Sequence, residues 1–194
     1  MTRPSSEQCL PDLQSPKSRN SETGIYVGLG SNLGLGRNKP RDLILQAVNL
    51  LSQNGDTVTT LSSLWTSHAW PVDPRKPDYI NAVCRVAPAD NDPLALLSRL
   101  HWIEDKLARM RSKSDRWASR TIDLDLLDYH GQIWADHADL CLPHPRIGQR
   151  DFVLLPLLEI APDWVDPVSG LAGRVLLDRL EASGSLNQCR RVIS

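Results

Sequence analysis

The chain has 194 residues, 41% of them apolar, enough for one domain with a core of its own and too few for two comfortable ones. A formal charge of −1 gives no bulk attraction to nucleic acid or to an anionic membrane, so recognition of anions has to be local. No apolar run approaches the roughly 20 residues that span a bilayer, the start lacks a signal-peptide stretch, and Cys9, Cys84, Cys141 and Cys189 form no C-x-x-C pair, which together point to a cytoplasmic protein with reduced thiols.

Residues 1–23, rich in Ser and Pro and without a period, are expected to be a disordered N-terminal extension, leaving 24–194 as a single domain. "IYVGLG" (residues 25–30) reads as a buried strand ending in a Gly-Ser-Asn turn. From Pro40 a helix is expected, with Leu43, Ile44, Ala47, Leu50 and Leu51 on one face and Gly55 as its stop. "TVTTLSSLW" supplies β-formers, and after a Pro-rich loop from Ala69 to Pro77, "YINAVCRVA" supplies another strand. Asp92 caps a second helix with Pro93 in its first turn and Leu94, Leu97, Leu100, Ile103 and Leu107 facing the core. A loop from Ala108 to Ser119 leads into the strand "TIDLDLLDY", and "HGQ" turns the chain back toward "IW". The order strand, helix, strand, strand, helix, strand predicts an α+β fold, a ferredoxin-like split β-α-β sandwich. Helices at about 146–160 and 172–183 are extra C-terminal elements of the same domain.

Side chains alternate across a strand, so Asp123 and Asp125 share one face while Ile122, Leu124 and Leu126 turn to the core on the other. Same-face neighbours lie about 6–7 Å apart at Cα, close enough for two partly dehydrated carboxylates to repel each other. Divalent cations relieve that repulsion, and magnesium in particular combines a few carboxylate oxygens with phosphate and water. Immediately upstream, Arg109, Arg111, Lys113, Arg116 and Arg120 place five cations in twelve residues, opposed only by Asp115. Arginines for phosphates followed by acids for a metal are the elements of a magnesium-nucleotide site. The bland alternatives are an exposed acidic sheet face and a solvated charge run.

The aromatic residues are as readily core as ligand contacts. Yet Tyr79 and Asn81 share a strand face, and Phe152 and Trp117 each lie beside arginines, a set suited to a planar heterocycle. Glu104 is expected at the boundary of the second helix, as a salt bridge or a sugar contact. His68, His101, His130 and His137 show no metal spacing and read as surface or loop residues.

"RWASRTIDLDLL", together with "GLGSNLG", "PDYINAV" and "LPHPRIGQRDFVLLPLLEIAP", resembles the 6-hydroxymethyl-7,8-dihydropterin pyrophosphokinases of folate biosynthesis, in the same order from about Ile25 to Pro162. The resemblance implies transfer of a diphosphoryl group from ATP to the hydroxymethyl oxygen of the dihydropterin, with release of AMP. It implies two Mg²⁺ ions on Asp123 and Asp125, and ATP and the dihydropterin as the binding partners, on a monomer or weak dimer that takes neither nucleic acid nor membrane. Positions matching Tyr79 and Phe152 sandwich the pterin, Asn81 bonds its edge, and Ser67 and Trp117 complete its pocket. Catalytic roles fall on Arg109, Arg111, Arg116 and Arg120. Nucleotide contacts fall on His101, Glu104, Arg116, Arg120, Leu126, His144 and Arg150. The chain departs from the family pattern at Ala118-Ser119, where Gly-Pro is usual, in an arginine loop one residue longer, at His101 in place of a glutamine, and at Trp70 and Pro71 in the pterin loop. Two other readings compete: another magnesium-nucleotide transferase, which would release ADP, and a non-catalytic RNA-binding module, which would want aromatics and positive charge where this chain carries acids.

Overall fold

The computed structural model describes residues 23–108, 119–135 and 137–192. The N-terminal extension up to residue 22 and the predicted contributions of Arg109, Arg111, Arg116 and Trp117 lie outside the described residues. Six strands, β1 (Ile25–Ser31), β2 (Thr57–Leu61), β3 (Trp65–Ser67), β4 (Tyr79–Ala87), β5 (Asp123–Tyr129) and β6 (Arg190–Arg191), alternate with helices α1 (Pro40–Gln53), α2 (Pro93–Lys106), α3 (Asp151–Ile160) and α4 (Gly173–Ala182). Both early helices start as their sequences dictate. Each has Pro in its first turn, the Asp42 carboxylate accepts the Lys39 amide ahead of α1, and the Asp92 carboxylate accepts the Leu94 amide of α2.

β1 lies between β4 and β5 and runs antiparallel to both, while β2 and β3 both pair antiparallel with β4 and β6 adds to β3. The product is a mixed α/β domain on an antiparallel sheet with a helical layer on each face. On one face Val27, Leu29 and Leu124 pack with Leu43 and Ile44 of α1 and Leu100 of α2. On the other, Tyr26, Val83 and Leu127 pack with Leu154 and Leu157 of α3 and Leu177 of α4. Asp128, buried at the end of β5, accepts the Trp164 indole N–H at 2.7 Å and the Gly131 amide at 2.8 Å, which ties the α3–α4 connection to the sheet. Opposite it, buried Asp56 receives two hydrogen bonds from Arg99, fastening α2 to the start of β2. Among the described residues no helix is long and apolar enough to cross a membrane, and Cys84, Cys141 and Cys189 carry free thiols.

Several expectations need correction. The β-forming segment over residues 57–65 is two strands: the Ser62 amide still donates to the Val83 carbonyl, but the Val83 amide turns to the Ser62 hydroxyl and regular pairing resumes only at Trp65. β5 begins at Asp123, since the Thr121 carbonyl is taken by the Ser31 hydroxyl. α2 turns Leu96, Leu100, Ile103 and Leu107 fully inward, and Leu94 and Leu97 only flank them. The helix expected from residue 146 is a 3-10 turn over Ile147–Gln149 followed by α3, with Arg150 between them in extended backbone (φ −133°, ψ 105°). Trp134 makes a single bridge to Leu142 rather than a strand back along β5. β6 carries no apolar alternation and was not anticipated.

Candidate active site

β5 is an edge strand whose outer backbone groups are covered selectively. The Glu104 carboxylate accepts the Leu124 amide at 2.8 Å, and the His144 amide donates to the Leu127 carbonyl at 2.7 Å. Between these two clamps the edge borders a cleft of about 240 Å³ lined by His101, Leu124, Asp125, Leu126, Cys141 and His144. Leu126 lies between these two clamps, next to the irregularity in β1–β5 pairing, and lines the cleft. His101, from within α2 and not from a loop, lines this cleft together with Leu126 and His144. Glu104 is not among the residues that line the cleft: it is 0% exposed, and its carboxylate supports the strand edge through the Leu124 amide.

His144 is held neutral. Burial, aided by the positive charges of Arg150 and Arg146, pushes its imidazole down to about 4 from an ordinary 6.5. The folded form then resists protonation while the unfolded chain accepts a proton as pH falls through 6.5. Stability contributed by the neutral ring is complete above that value and is lost as pH falls toward 4, a change on the order of 3 kcal/mol. Urea unfolding at pH 7 and pH 4.5 should give a smaller difference for His144→Gln than for the parent; parallel pH profiles would refute the assignment.

The acids project from the face of the same strand opposite the core residues Leu124 and Leu126. Asp123 Oδ2 accepts Arg120 Nη1 at 2.7 Å, and Asp125 Oδ2 stands 3.7 Å from Arg150 Nη1. Burial disfavours the charge of Arg120, but Asp123, Tyr79 and Asp125 hold its guanidinium above the usual value. For Arg150 burial dominates over Asp125 and lowers it. The Arg150 guanidinium also lies over two rings, 5.4 Å from the centroid of Trp70 and 5.6 Å from that of Phe152. The extended backbone at residue 150 is what aims this side chain at the sheet while leaving Phe152 on α3.

Strand register then builds the rest. Gly30 of β1 is opposite Asp123 on one side and Asn81 on the other, and Gly28 is opposite Asp125 and Val83. A Cβ at position 30 would stand 3.6 Å from Asn81 Oδ1, 3.8 Å from Asp123 Cβ and 3.9 Å from Tyr79 Cδ1. Gly30 is thus the floor between the acids and the Tyr79–Asn81 pair. Asn81 is buried and donates Nδ2 to the Ser67 hydroxyl at 3.0 Å, which leaves its Oδ1 toward that floor. Asn32, also buried, accepts the Arg120 amide and donates to the Pro77 carbonyl and the Ser119 hydroxyl, so one side chain joins the end of β1 to the arginine segment and to the loop before Tyr79. Neither Gly30 nor Asn32 was singled out in the sequence as a site residue, although both sit in the "GLGSNLG" segment.

A mixed α/β domain that sets two neighbouring carboxylates, each beside an arginine, near Tyr79 and the rings of Trp70 and Phe152 has the layout of an enzyme that moves phosphoryl groups. Over residues 26–162 the sequence matches the family described as 7,8-dihydro-6-hydroxymethylpterin-pyrophosphokinase (HPPK), and the chain belongs to that family. It is 39% identical over 160 residues to the 2-amino-4-hydroxy-6-hydroxymethyldihydropteridine pyrophosphokinase of Synechocystis, covering 82% of this chain and 77% of that one. It is 40% identical over 146 residues to the protein of the same name from Haemophilus influenzae, covering 74% and 85%. Among solved structures, wild-type Plasmodium falciparum HPPK-DHPS aligns with a TM-score of 0.63 at 14% identity over 88% of this chain and 48% of the other. An HPPK-DHPS in complex with substrates aligns at 0.66 and 14%, over 88% and 47%. This chain spans about half of those two solved chains, and at such identity the likeness concerns the fold.

Proposed function

We propose that the chain transfers the diphosphoryl group of ATP to the hydroxymethyl oxygen of 6-hydroxymethyl-7,8-dihydropterin in folate synthesis, through the residues that meet at Gly30. The substrate hydroxyl attacks the β-phosphorus, the bond from that phosphorus to the α,β-bridging oxygen breaks, AMP leaves with the oxygen, and the hydroxyl proton passes to solvent. The observation that carries the reading is the row Asp123, Gly30, Asn81 across three paired strands, which supports phosphate chemistry beside a site for a flat ring. Arg120 and Arg150, already within reach of the two acids, are suited to phosphate oxygens. The backbone of Leu126, flanked by His101 and His144, suits the edge of the nucleotide base. Tyr79 and Phe152 are the faces for the pterin, with Asn81 and Ser67 for its edge.

Among the described residues no group of three His, Cys, Asp or Glu side chains could hold a metal ion. Two carboxylates on one strand face nevertheless fit magnesium, which takes few protein ligands and draws the remainder from phosphate and water. Asp123 and Asp125 would hold it, and when bound it neutralises charge on the phosphoryl oxygens. The strand order β5-β1-β4 with β2 and β3 beyond, every neighbour antiparallel, supports reading the scaffold as ferredoxin-like with α3 and α4 added on the second face. Purified protein with ATP, Mg²⁺ and the dihydropterin should release AMP and not ADP. ADP as the product would favour another phosphotransferase, and no nucleotide product at all would leave the catalytic reading without support.

A further inference from the structure

Residues 187–192 form a strap that no sequence signal announces. Arg190–Arg191 pairs with Trp65–Thr66 of β3, the Val192 amide donates to the Leu64 carbonyl, and Arg191 donates to the Ser63 hydroxyl at 2.7 Å and to Glu159 of α3 at 3.0 Å. These contacts already fasten the tail. Ahead of them Asn187 is 5% exposed and does something different. Its backbone amide donates to Asp151 Oδ2 at 2.6 Å, and its side-chain Nδ2 donates to the His68 carbonyl at 2.8 Å.

Both acceptors adjoin pocket residues. Asp151 is itself buried, immediately precedes Phe152, and its Oδ1 accepts the Phe152 amide at 2.9 Å. His68 immediately follows Ser67, and its ring nitrogen is 2.8 Å from Asp78, the residue before Tyr79. Asn187 therefore stands between the wall that carries Phe152 and the wall that carries Ser67. Its backbone amide holds the Asp151 side, and its side chain adds a buried donor satisfied by the His68 carbonyl, where an apolar side chain would have served simple adhesion.

Resting on the assignment of the pterin pocket above, we propose that Asn187 is a positioning residue that fixes the spacing between Phe152 and the Ser67–Asn81 edge. A planar ring that stacks on one wall while its edge bonds to the other tolerates an error of only about 0.5 Å between them. Losing the Nδ2 bond frees the His68 carbonyl and lets the loop after β3 drift away from α3. The nucleotide cleft lies at the far edge of the sheet, along β5, and is untouched by that drift.

The test is steady-state kinetics with each substrate varied in turn, on the full chain, together with thermal unfolding. Asn187→Leu keeps the bulk and the backbone bond to Asp151 but removes the donor. It should raise KM for the dihydropterin about fivefold, the factor expected for one lost neutral hydrogen bond, with kcat and the ATP KM within about twofold of the parent. Asn187→His, whose Nδ1 can donate from a similar position, should restore the pterin KM. If the leucine variant fails to fold, Asn187→Ala, which leaves room for water, is read the same way. An unchanged pterin KM, or parallel changes in both KM values, overturns the proposal. Phe152→Ala is the control for the underlying assignment. A raised pterin KM there with a parental value in Asn187→Leu overturns the role of Asn187 alone, whereas a parental value in Phe152→Ala overturns the pocket and the proposal together.

Discussion

Asp125→Ala should lower AMP release by at least about 10³-fold, the scale found when a group that neutralises developing phosphoryl charge is removed. The carboxylate is 37% exposed and borders the cleft, while its strand neighbours Leu124 and Leu126 hold β5 in the core. Loss of the side chain leaves that packing intact, so the unfolding midpoint should move little. The remaining acid, Asp123, is occupied by Arg120 at 2.7 Å and cannot serve two roles alone. Asp125→Asn, which keeps the shape and removes the charge, should lose activity to the same degree, because the argument rests on charge and not on volume. A rise in the Mg²⁺ concentration needed for half-maximal rate, in whatever activity remains, would tie the loss to the ion. Turnover near the parental rate in either variant would sink the assignment of the acid pair.

That pair was legible because strand alternation is a local rule. Knowing only that residues 121–129 form a strand is enough to put Asp123 and Asp125 on one face and Leu124 and Leu126 on the other, and the same rule pairs Tyr79 with Asn81. Helix α2 was legible from Asp92, Pro93 and its apolar period, although the stripe is centred on Leu96 and Leu100 rather than on Leu94 and Leu97. What alternation does not carry is register. Nothing in "GLGSNLG" states that Gly30 lies opposite both Asp123 and Asn81, since that depends on how three strands distant in sequence slide against one another. Asn187 and β6 escape for the same reason: their partners, His68, Asp151 and β3, are long-range. The complete burial of Glu104 is not legible either, because it depends on tertiary contacts such as the one with the Leu124 amide.

Register makes Gly30 the most informative position in the molecule. Its backbone is ordinary strand backbone, paired on both sides, so a larger residue meets no conformational penalty there and a β-branched one is favoured. Alanine adds only a Cβ in ordinary contact, at 3.6 Å or more from Asn81, Asp123 and Tyr79. Gly30→Ala should therefore fold and keep most of its activity. Gly30→Val extends further methyl groups into the space between Tyr79 and Asp123, where the proposed substrate brings its ring against the phosphates. Displacing a reacting group by about 1 Å is sufficient to cost about 10²-fold, and kcat/KM for the dihydropterin should fall by that factor. The valine variant should unfold at or above the parental midpoint and still bind a fluorescent ATP analogue, because the cleft along the outer edge of β5 is unchanged. This separation of stability from activity distinguishes a floor residue from a packing residue, for which both would fall together. Parental kcat/KM in Gly30→Val would mean that the pterin does not lie over β1, and the row Asp123, Gly30, Asn81 would then be a feature of the sheet and not of the reaction.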